Sequence, residues 1–325
     1  MPLLEVRSQG IYCPPADVFL DPHRAVSKAI ISHAHSDHAR WGMQHYIAPT
    51  PSVNLIKARI GKNISIAGFN YGEEFTINGV KFSFHPAGHI PGSAQIRVEY
   101  HGEIWVYTGD FKWEVDGVSE PFYPVQCHTL ITECTFGFPV FQWRKQDFWF
   151  QHMGEWWQQN QEEGKNSVVL AYSLGKAQRI LKNIPPCGNI YVHPAVAEMN
   201  TWVMELGVNF QPWKKLNASD KPEKSLIILP PSGQSDGLMK RLGDVEIGMA
   251  SGWMGVRGKR SWSAVDRGFA LSDHSDWQGI IDLVDASQAE TIFATHGNTD
   301  VLVRYLKEIG KDARPWGAFF EREEG

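Results

Sequence analysis

The sequence predicts an α/β protein in which one domain is interrupted by a second. Three observations predict it. Residues up to about 135 read mainly as short strands and tight turns. From about residue 145, apolar strands alternate with helices, the pattern of a small parallel sheet. Beyond about Ser263 the first texture returns. The expected organisation is therefore a first part at 1–144, an inserted domain at 145–262 and a second part at 263–325.

The elements follow in order. Gly10–Cys13 and Val18–Asp21 are short apolar runs closed by turn residues, and Ala29–Ile31 reads as a strand. Val53–Ile60 is a predicted helix stopped by Gly61. Val80–His85 and Gln95–Tyr100 alternate with period two, and His101-Gly102-Glu103 turns the latter into Ile104–Tyr107, a hairpin pattern. Phe148, Trp149, Met153, Trp156 and Trp157 fall at helical spacing within 147–161. Strands are expected at 167–172, 189–192, 226–229 and 244–249, with helices at 176–182 and 195–206. The polar stretch Lys214–Lys224 is expected to be the most flexible. The return carries a strand at 268–271, a helix from Trp277, a strand at 291–294 and a helix from about Asp300. No internal repeat is present.

Bulk properties exclude some classes. A chain of 325 residues is long for one core and suits two joined domains. Hydrophobic residues at 42% and charged residues at 21% exclude a disordered polymer. The net charge of -5 means that any nucleic-acid partner must be met by a local basic groove. Thirteen Trp supply core or base-stacking surface. Cys13, Cys127, Cys134 and Cys187 form no C-x-x-C pair and no disulfide framework, so reduced thiols in a cytoplasmic protein are expected. The N-terminal residues lack the pattern of a signal peptide, and no run reaches the ~18 apolar residues of a bilayer span.

The most informative segment is His33-Ala34-His35-Ser36-Asp37-His38. It puts three imidazoles and a carboxylate on a strand-to-loop corner. These are the donor types that zinc and similar divalent metals accept. His89 lies in a Gly-rich turn, and Asp110 and His296 each end a predicted strand. Each alone is weak, but with the opening cluster they make a set large enough for two metals. His23, His45, His85, His101, His128, His152 and His193 receive no metal role.

The order Asp21, His33-x-His35-x-Asp37-His38, His89, Asp110, His296 resembles the signature of the metallo-β-lactamase superfamily. The resemblance implies a four-layer αβ/βα sandwich with two divalent metals, zinc first and manganese as the alternative. His33, His35 and His89 would hold one metal, and Asp37, His38 and His296 the other. Asp110 would bridge them, and Asp21 would orient the loop and a ligand imidazole.

Three further features resemble the β-CASP nuclease branch of that superfamily. A long α/β stretch lies between Asp110 and His296. Glu133 ends the strand Leu130–Cys134, in the position of motif A. His274 precedes a helix, in the position of motif B, and His296 falls at motif C. Glu133 would polarise a neighbouring histidine, and His274 would touch the scissile phosphate or protonate the leaving oxygen. The turn Tyr172-Ser173-Leu174-Gly175-Lys176 resembles a turn of the DNA-repair members, where Ser173, Gly175 and Lys176 would receive a phosphate. Ser232, Arg257 and Lys259 are further candidates for contact with a strand, the last two beside Trp253 and Trp262.

The resemblance covers essentially the whole chain and is nearest to bacterial DNA-ligase-associated exonucleases. It implies a cytoplasmic two-metal phosphodiesterase, a DNA exonuclease of repair, working from a 5′ start on a phosphate held between the domains. Expected partners are single-stranded DNA or DNA ends, with a DNA ligase and a helicase as associates and no membrane. The rivals are an RNA-processing nuclease with the same machinery, a small-molecule thioester or lactone hydrolase, and a binding protein that has lost catalysis. A His at motif C fits the RNA-processing branch as well.

Overall fold

The computed structural model describes residues 2–256 and 265–316. The chain divides into two compact units, Met1–Val115 with Ser119–Gln142 and His274–Gly325, and Asp116–Val118 with Trp143–Asp273.

The first unit opens with β1 (Glu5–Arg7), β2 (Gly10–Cys13), β3 (Val18–Leu20), β4 (Lys28–Ile30), β5 (His45–Pro49), α1 (Val53–Ile60) and β6 (Ile66–Phe69). These six strands form one sheet in chain order, antiparallel from β1 to β3 and parallel from β3 to β6. Next come β7 (Glu74–Ile77), β8 (Val80–Pro86), β9 (Ala94–Tyr100), β10 (Glu103–Tyr107) and β11 (Thr129–Cys134). The first four form an antiparallel meander, and β11 joins β10 in parallel.

The second unit holds α2 (Gln146–Glu162), β12 (Asn166–Leu170), α3 (Lys176–Asn183), β13 (Ile190–Val192), α4 (Pro194–Glu205) and β14 (Lys214–Lys215). It continues through β15 (Leu226–Leu229), α5 (Asp236–Leu242), β16 (Val245–Ala250) and β17 (Arg267–Phe269). Its sheet runs β14-β13-β15-β12-β16-β17 and is parallel throughout. Every residue of β12 and β15 is buried, as expected of a parallel sheet covered on both faces.

The chain then returns to the first unit with α6 (Trp277–Ser287), β18 (Thr291–Gly297), α7 (Thr299–Glu308) and β19 (Asp312–Pro315). Strand β18 enters between β11 and β19, completing the order β19-β18-β11-β10-β9-β8-β7.

The alternation in β8 does what period two requires. Val80, Phe82 and Phe84 are buried in one apolar cluster with Ile96 and Val98 of β9 and with Ile11, Leu20 and Ile30 of the first sheet. The two sheets of this unit therefore share a core. The other face of the seven-stranded sheet, with Val106, Leu130 and Ile292, packs on Ile280, Leu283 and Val284 of α6 and on Leu302 and Leu306 of α7. Each such fully buried side chain contributes roughly 1.5–3 kcal/mol relative to exposure. A third cluster joins Trp156 and Trp157 of α2, Ile180 of α3, Val196 of α4 and Ile228 of β15 inside the second unit.

Strands β1, β5, β6, β7 and β19 and helix α5 were not expected from the sequence. The polar Lys214–Lys224 stretch opens with β14, which pairs with β13 instead of forming an open loop.

Candidate metal centre

Every predicted metal ligand sits where a strand of the first unit ends. The chain leaves β4, makes one more sheet bond from the Ile31 amide to the Ile47 carbonyl, and turns through Ser32–His38. The Ala39 amide donates to the His35 carbonyl at 2.7 Å, curling the segment so that its rings converge. His89 lies in the connection from β8 to β9. Gly88 before it has φ +73°, and a Cβ there would come within 2.3 Å of the Lys112 carbonyl. Asp110 follows β10 after Gly109, where φ is +55° and a Cβ would meet Ser32 at 2.8 Å. Glycine is required at both positions.

His296 arrives by a different device. Strands β11 and β18 pair Glu133 with Thr295 but Cys134 with Gly297, so His296 is the extra residue of a bulge. Its φ of +49° is left-handed. A bulge re-aims a side chain that regular alternation would place elsewhere.

The geometry centres on one oxygen. Asp110 Oδ2 lies 3.6 Å from His33 Nε2, 3.5 Å from His38 Nε2 and 3.6 Å from His89 Nε2. His35 Nδ1 is 3.0 Å from His89 Nε2, and Asp37 Oδ2 is 3.8 Å from His38 Nε2. The His38 and His296 rings stack with centroids 5.1 Å apart. His33, His38 and His89 are buried, as is Asp110. Donor atoms within 4.8 Å of one another make the groups His33–His35–His89–Asp110 and Asp37–His38–Asp110. The structure thus brings together the two predicted ligand sets, with His296 placed against the second through its stack on His38.

Electrostatics follow from this crowding. Burial holds His33 well below the usual imidazole range, and neighbouring His38 adds to the effect. Burial also works against charge on His38, but Asp110, Asp37 and Asp21 outweigh it and raise His38 well above its ordinary value. Burial opposes charge on Asp110 too, yet His38 and then His274 hold its carboxyl well below the usual range. Burial, helped by His38, lowers His296.

The donor set fits divalent metals on an observation independent of its composition. His33 Nε2 and His38 Nε2 are fully buried and make no hydrogen bond. Buried polar atoms are normally satisfied, so two such orphans aimed at one carboxylate oxygen need an electrophile. Neutral imidazole and carboxylate oxygen are its matching donors.

Two supporting groups flank the cluster. Asp21 accepts hydrogen bonds from the Ser32 amide at 2.7 Å and lies 2.7 Å from His38 Nδ1. Glu133, at the end of β11, accepts from the amides of Phe111 and Thr135, each at 3.1 Å, and sits 2.8 Å from His274 Nδ1. The His274 ring lies 4.6 Å from His89 and its side chain is 23% exposed. Asp110, Glu133 and His274 form a third convergent group. Asp276 caps α6 by accepting from the Gly279 amide.

The expected phosphate-receiving turn is built differently. Lys176 is 4% exposed, and its ammonium lies 3.1 Å from Asp273 and 4.9 Å from the Tyr172 ring. The Gly175 amide donates to Gln178 Oε1 at 2.7 Å. Both groups are therefore already engaged inside the second unit, and the expectation that they receive a phosphate is corrected: a buried ammonium stays beside its carboxylate because separating them leaves each charge desolvated. Ser173 is half-buried and Ser232 is exposed in a 3-10 turn, Pro231–Gly233. Arg257, Lys259 and Trp262 lie outside the described residues.

Two residues escaped sequence reasoning. Ser32 sits between Asp21 and His33, and its signal was a hydroxyl directly before the first ligand histidine. Arg179 is 1% exposed between Asp116 and Asp273, with its guanidinium 2.6 Å from Asp273 Oδ1 and 3.4 Å from Asp116 Oδ2. Its partners are too distant in sequence for any local signal.

The chain is similar to several known proteins. No family model matches the chain. A protein named "Probable DNA ligase" from Opitutus terrae is 28% identical over 312 residues, 94% of this chain and 30% of that protein. An RNase J-like protein of Methanocaldococcus jannaschii is 31% identical over 49% of this chain and 43% of its own length. Cleavage and polyadenylation specificity factor 73 of Drosophila melanogaster is 26% identical over 52% of this chain and 26% of its own length. The chain thus spans less than half the length of these curated relatives. A crystal structure of an Enterococcus faecalis protein of unknown function covers 90% of this chain and 80% of its own with a TM-score of 0.62, and at 12% identity it shows the fold alone. Relatives of the β-CASP metallo-β-lactamase nuclease type, the RNase J-like and cleavage-factor proteins, thus stand beside the ligase-named protein, and the chain is similar to both.

Proposed function

We propose that this chain is a metal-dependent nucleic-acid phosphodiesterase, a DNA exonuclease acting in repair. The observation that carries the reading is the convergence of three buried imidazoles on Asp110 Oδ2, two of them with Nε2 otherwise unengaged. His33, His35 and His89 would hold one metal, and Asp37, His38 and His296 a second, with Asp110 shared. Zinc is the first candidate and manganese the second. When bound, such ions lower the pKa of water towards neutrality and neutralise charge on a phosphoryl oxygen.

The chain's own residues supply the rest. Glu133 would accept a hydrogen bond from the Nδ1–H of His274, which fixes the ring and favours the doubly protonated imidazolium, whose Nε2–H would pass to the departing oxygen and leave a neutral imidazole. Asp21 holds His38 from behind. The four-layer αβ/βα sandwich with an inserted β-CASP domain is the architecture in which we read the two units. Ser173 and Ser232 are the described candidates for contact with the strand.

DNA is favoured because nearly all of this chain aligns with one part of a protein named as a DNA ligase. The same match supports a functional association with a ligase, a helicase being the further expected associate, and a cytoplasmic location follows from that role. Polarity is proposed as 5′. The second reading, RNA cleavage, is favoured by the relatives named as RNase J-like protein and endoribonuclease. No described helix is long and apolar enough to cross a membrane.

The test is cleavage of single-stranded DNA and matched RNA, each labelled at either end, with zinc or manganese, beside an Asp37→Ala control. Stepwise loss of nucleotides from DNA that is absent in the control is the expected result, and the label position gives the polarity. Cleavage of RNA alone would establish the second reading. Cleavage of neither would sink both, and a thioester and lactone screen would follow.

A further inference from the structure

Hydrogen bonds in the floor of the histidine cluster meet at Asp21. Its Oδ1 accepts from the Ser32 amide at 2.7 Å. Its Oδ2 accepts from Ser32 Oγ and lies 2.7 Å from His38 Nδ1. Ser32 Oγ is in turn 2.9 Å from His33 Nδ1. None of Asp21, Ser32, His33 and His38 is more than 4% exposed, so water does not compete for these bonds.

The proton positions follow from an inventory. A serine hydroxyl has one hydrogen, and an ionised carboxylate has none. The Ser32 hydrogen is committed to Asp21. Toward His33, Ser32 Oγ can therefore only accept, and His33 Nδ1 must carry the proton. A neutral imidazole has one N–H, so His33 Nε2 keeps its lone pair bare. That is the atom which faces Asp110 Oδ2 at 3.6 Å and makes no hydrogen bond.

Two influences compete for the His33 proton. The Asp110 carboxylate favours it on Nε2, where it would block a metal. At 3.6 Å, however, Asp110 lies beyond hydrogen-bond range of that nitrogen, whereas Ser32 at 2.9 Å is within range of the other. The Ser32 side wins. His38 Nδ1 faces the carboxylate directly and must likewise carry a proton.

We propose that Ser32 is a positioning residue that relays Asp21 to His33, so that one buried carboxylate presents the Nε2 atoms of two different imidazoles to the metals. Its value for metal binding rests on the reading of His33 as a ligand, but the tautomer itself does not. Groups placed behind a ligand histidine typically change metal affinity by about 10–100-fold when removed. Replacing Ser32 by alanine removes only the hydroxyl and leaves the amide bond to Asp21 Oδ1 intact.

The experiment uses the full chain labelled with 15N-histidine. In metal-free wild type, the nitrogen shifts of His33 are expected to report a proton on Nδ1. In Ser32→Ala they are expected to move towards a proton on Nε2. Zinc affinity, measured by competition with a chelator, should fall about tenfold in Ser32→Ala. A wild-type His33 already protonated on Nε2 would overturn the relay, and needs no variant to be seen. A Ser32→Ala protein with unaltered His33 shifts and unaltered zinc affinity would overturn it equally. Wild type that binds no zinc at all, yet keeps the Nδ1 tautomer, would leave the relay standing and remove His33 as a ligand.

Discussion

At the scale of single residues, the site depends on atoms that have little to do with the fold. Asp37 is half-exposed, its side chain 49% accessible, and its carboxylate meets the cluster beside His38 and Asp110. Asp37→Ala should therefore lower kcat/KM by more than about 100-fold while leaving the thermal midpoint nearly unchanged. Steady-state assays beside calorimetry decide it, and full retained activity would remove Asp37 from the site. The cysteines make the opposite case, groups that belong to the core. Burial pushes the thiols of Cys13 up to about 11 and of Cys127 up to about 12, and raises Cys134 further. Cys187 is only half-buried. Native protein at pH 8 should be alkylated at Cys187 first, with the other three reacting only on denaturation. Peptide mapping after iodoacetamide would check this, and early labelling of Cys134 would contradict it. The convergent donors were legible in the sequence because unusual donor types crowd together there. Ser32 was not, because a lone hydroxyl before a histidine acquires meaning only when Asp21 is seen beneath it.

At the scale of elements, helix α3 shows where local reading fails. The turn into it has the composition of an anion site, and nothing local reveals that Lys176 and Arg179 point inward to Asp273, nearly a hundred residues away. Breaking a buried pair from one side leaves an uncompensated charge, at a cost of about 3–5 kcal/mol. Arg179→Ala should lose stability of that order in urea denaturation. The exposed Arg304–Glu308 pair on α7 is a fair contrast, and Arg304→Ala should change stability by no more than about 0.5 kcal/mol. Equal effects would show that the Arg179 cluster is not stabilising. The strands that escaped notice share a cause. Strand β6 carries Gly68 in its middle, and β19 ends in Pro315 at the sheet edge, where a missing N–H is tolerated. They are strands because neighbours pair with them, not because their side chains favour it. Strongly patterned pieces such as α1, whose bounds fall at Val53 and Ile60 as expected, carry their own signal.

At the scale of the whole molecule, metal and fold should be coupled. The clustered donors come from the ends of four different strands of the first unit, β4, β8, β10 and β18, so an ion bound by them would hold distant parts of the chain together. Binding to the folded state alone at a hundred times the dissociation constant adds about 2.7 kcal/mol. Chelation should abolish nuclease activity and lower the thermal midpoint, and readdition of zinc or manganese should restore both. An unchanged midpoint in the stripped protein would mean that the ions are absent or held by too few strands.

The late arrival of β18 bears on how the protein is made. His38 and His296 are separated by roughly 250 residues, so at about 5–20 residues per second a ribosome takes on the order of 10–50 s to travel between them. Once β11 has been made, the nascent first unit holds it on β10 but without β18, and the apolar face around Val106 and Leu130 without α6 and α7. The second unit can close on itself in the meantime, since all its strands lie within the interrupting segment. The donor cluster is thus completed only when synthesis has passed β18. A chain truncated before His296 carries most of the cluster's side chains but not all of them, and its uncovered sheet is the surface a chaperone would have to shield.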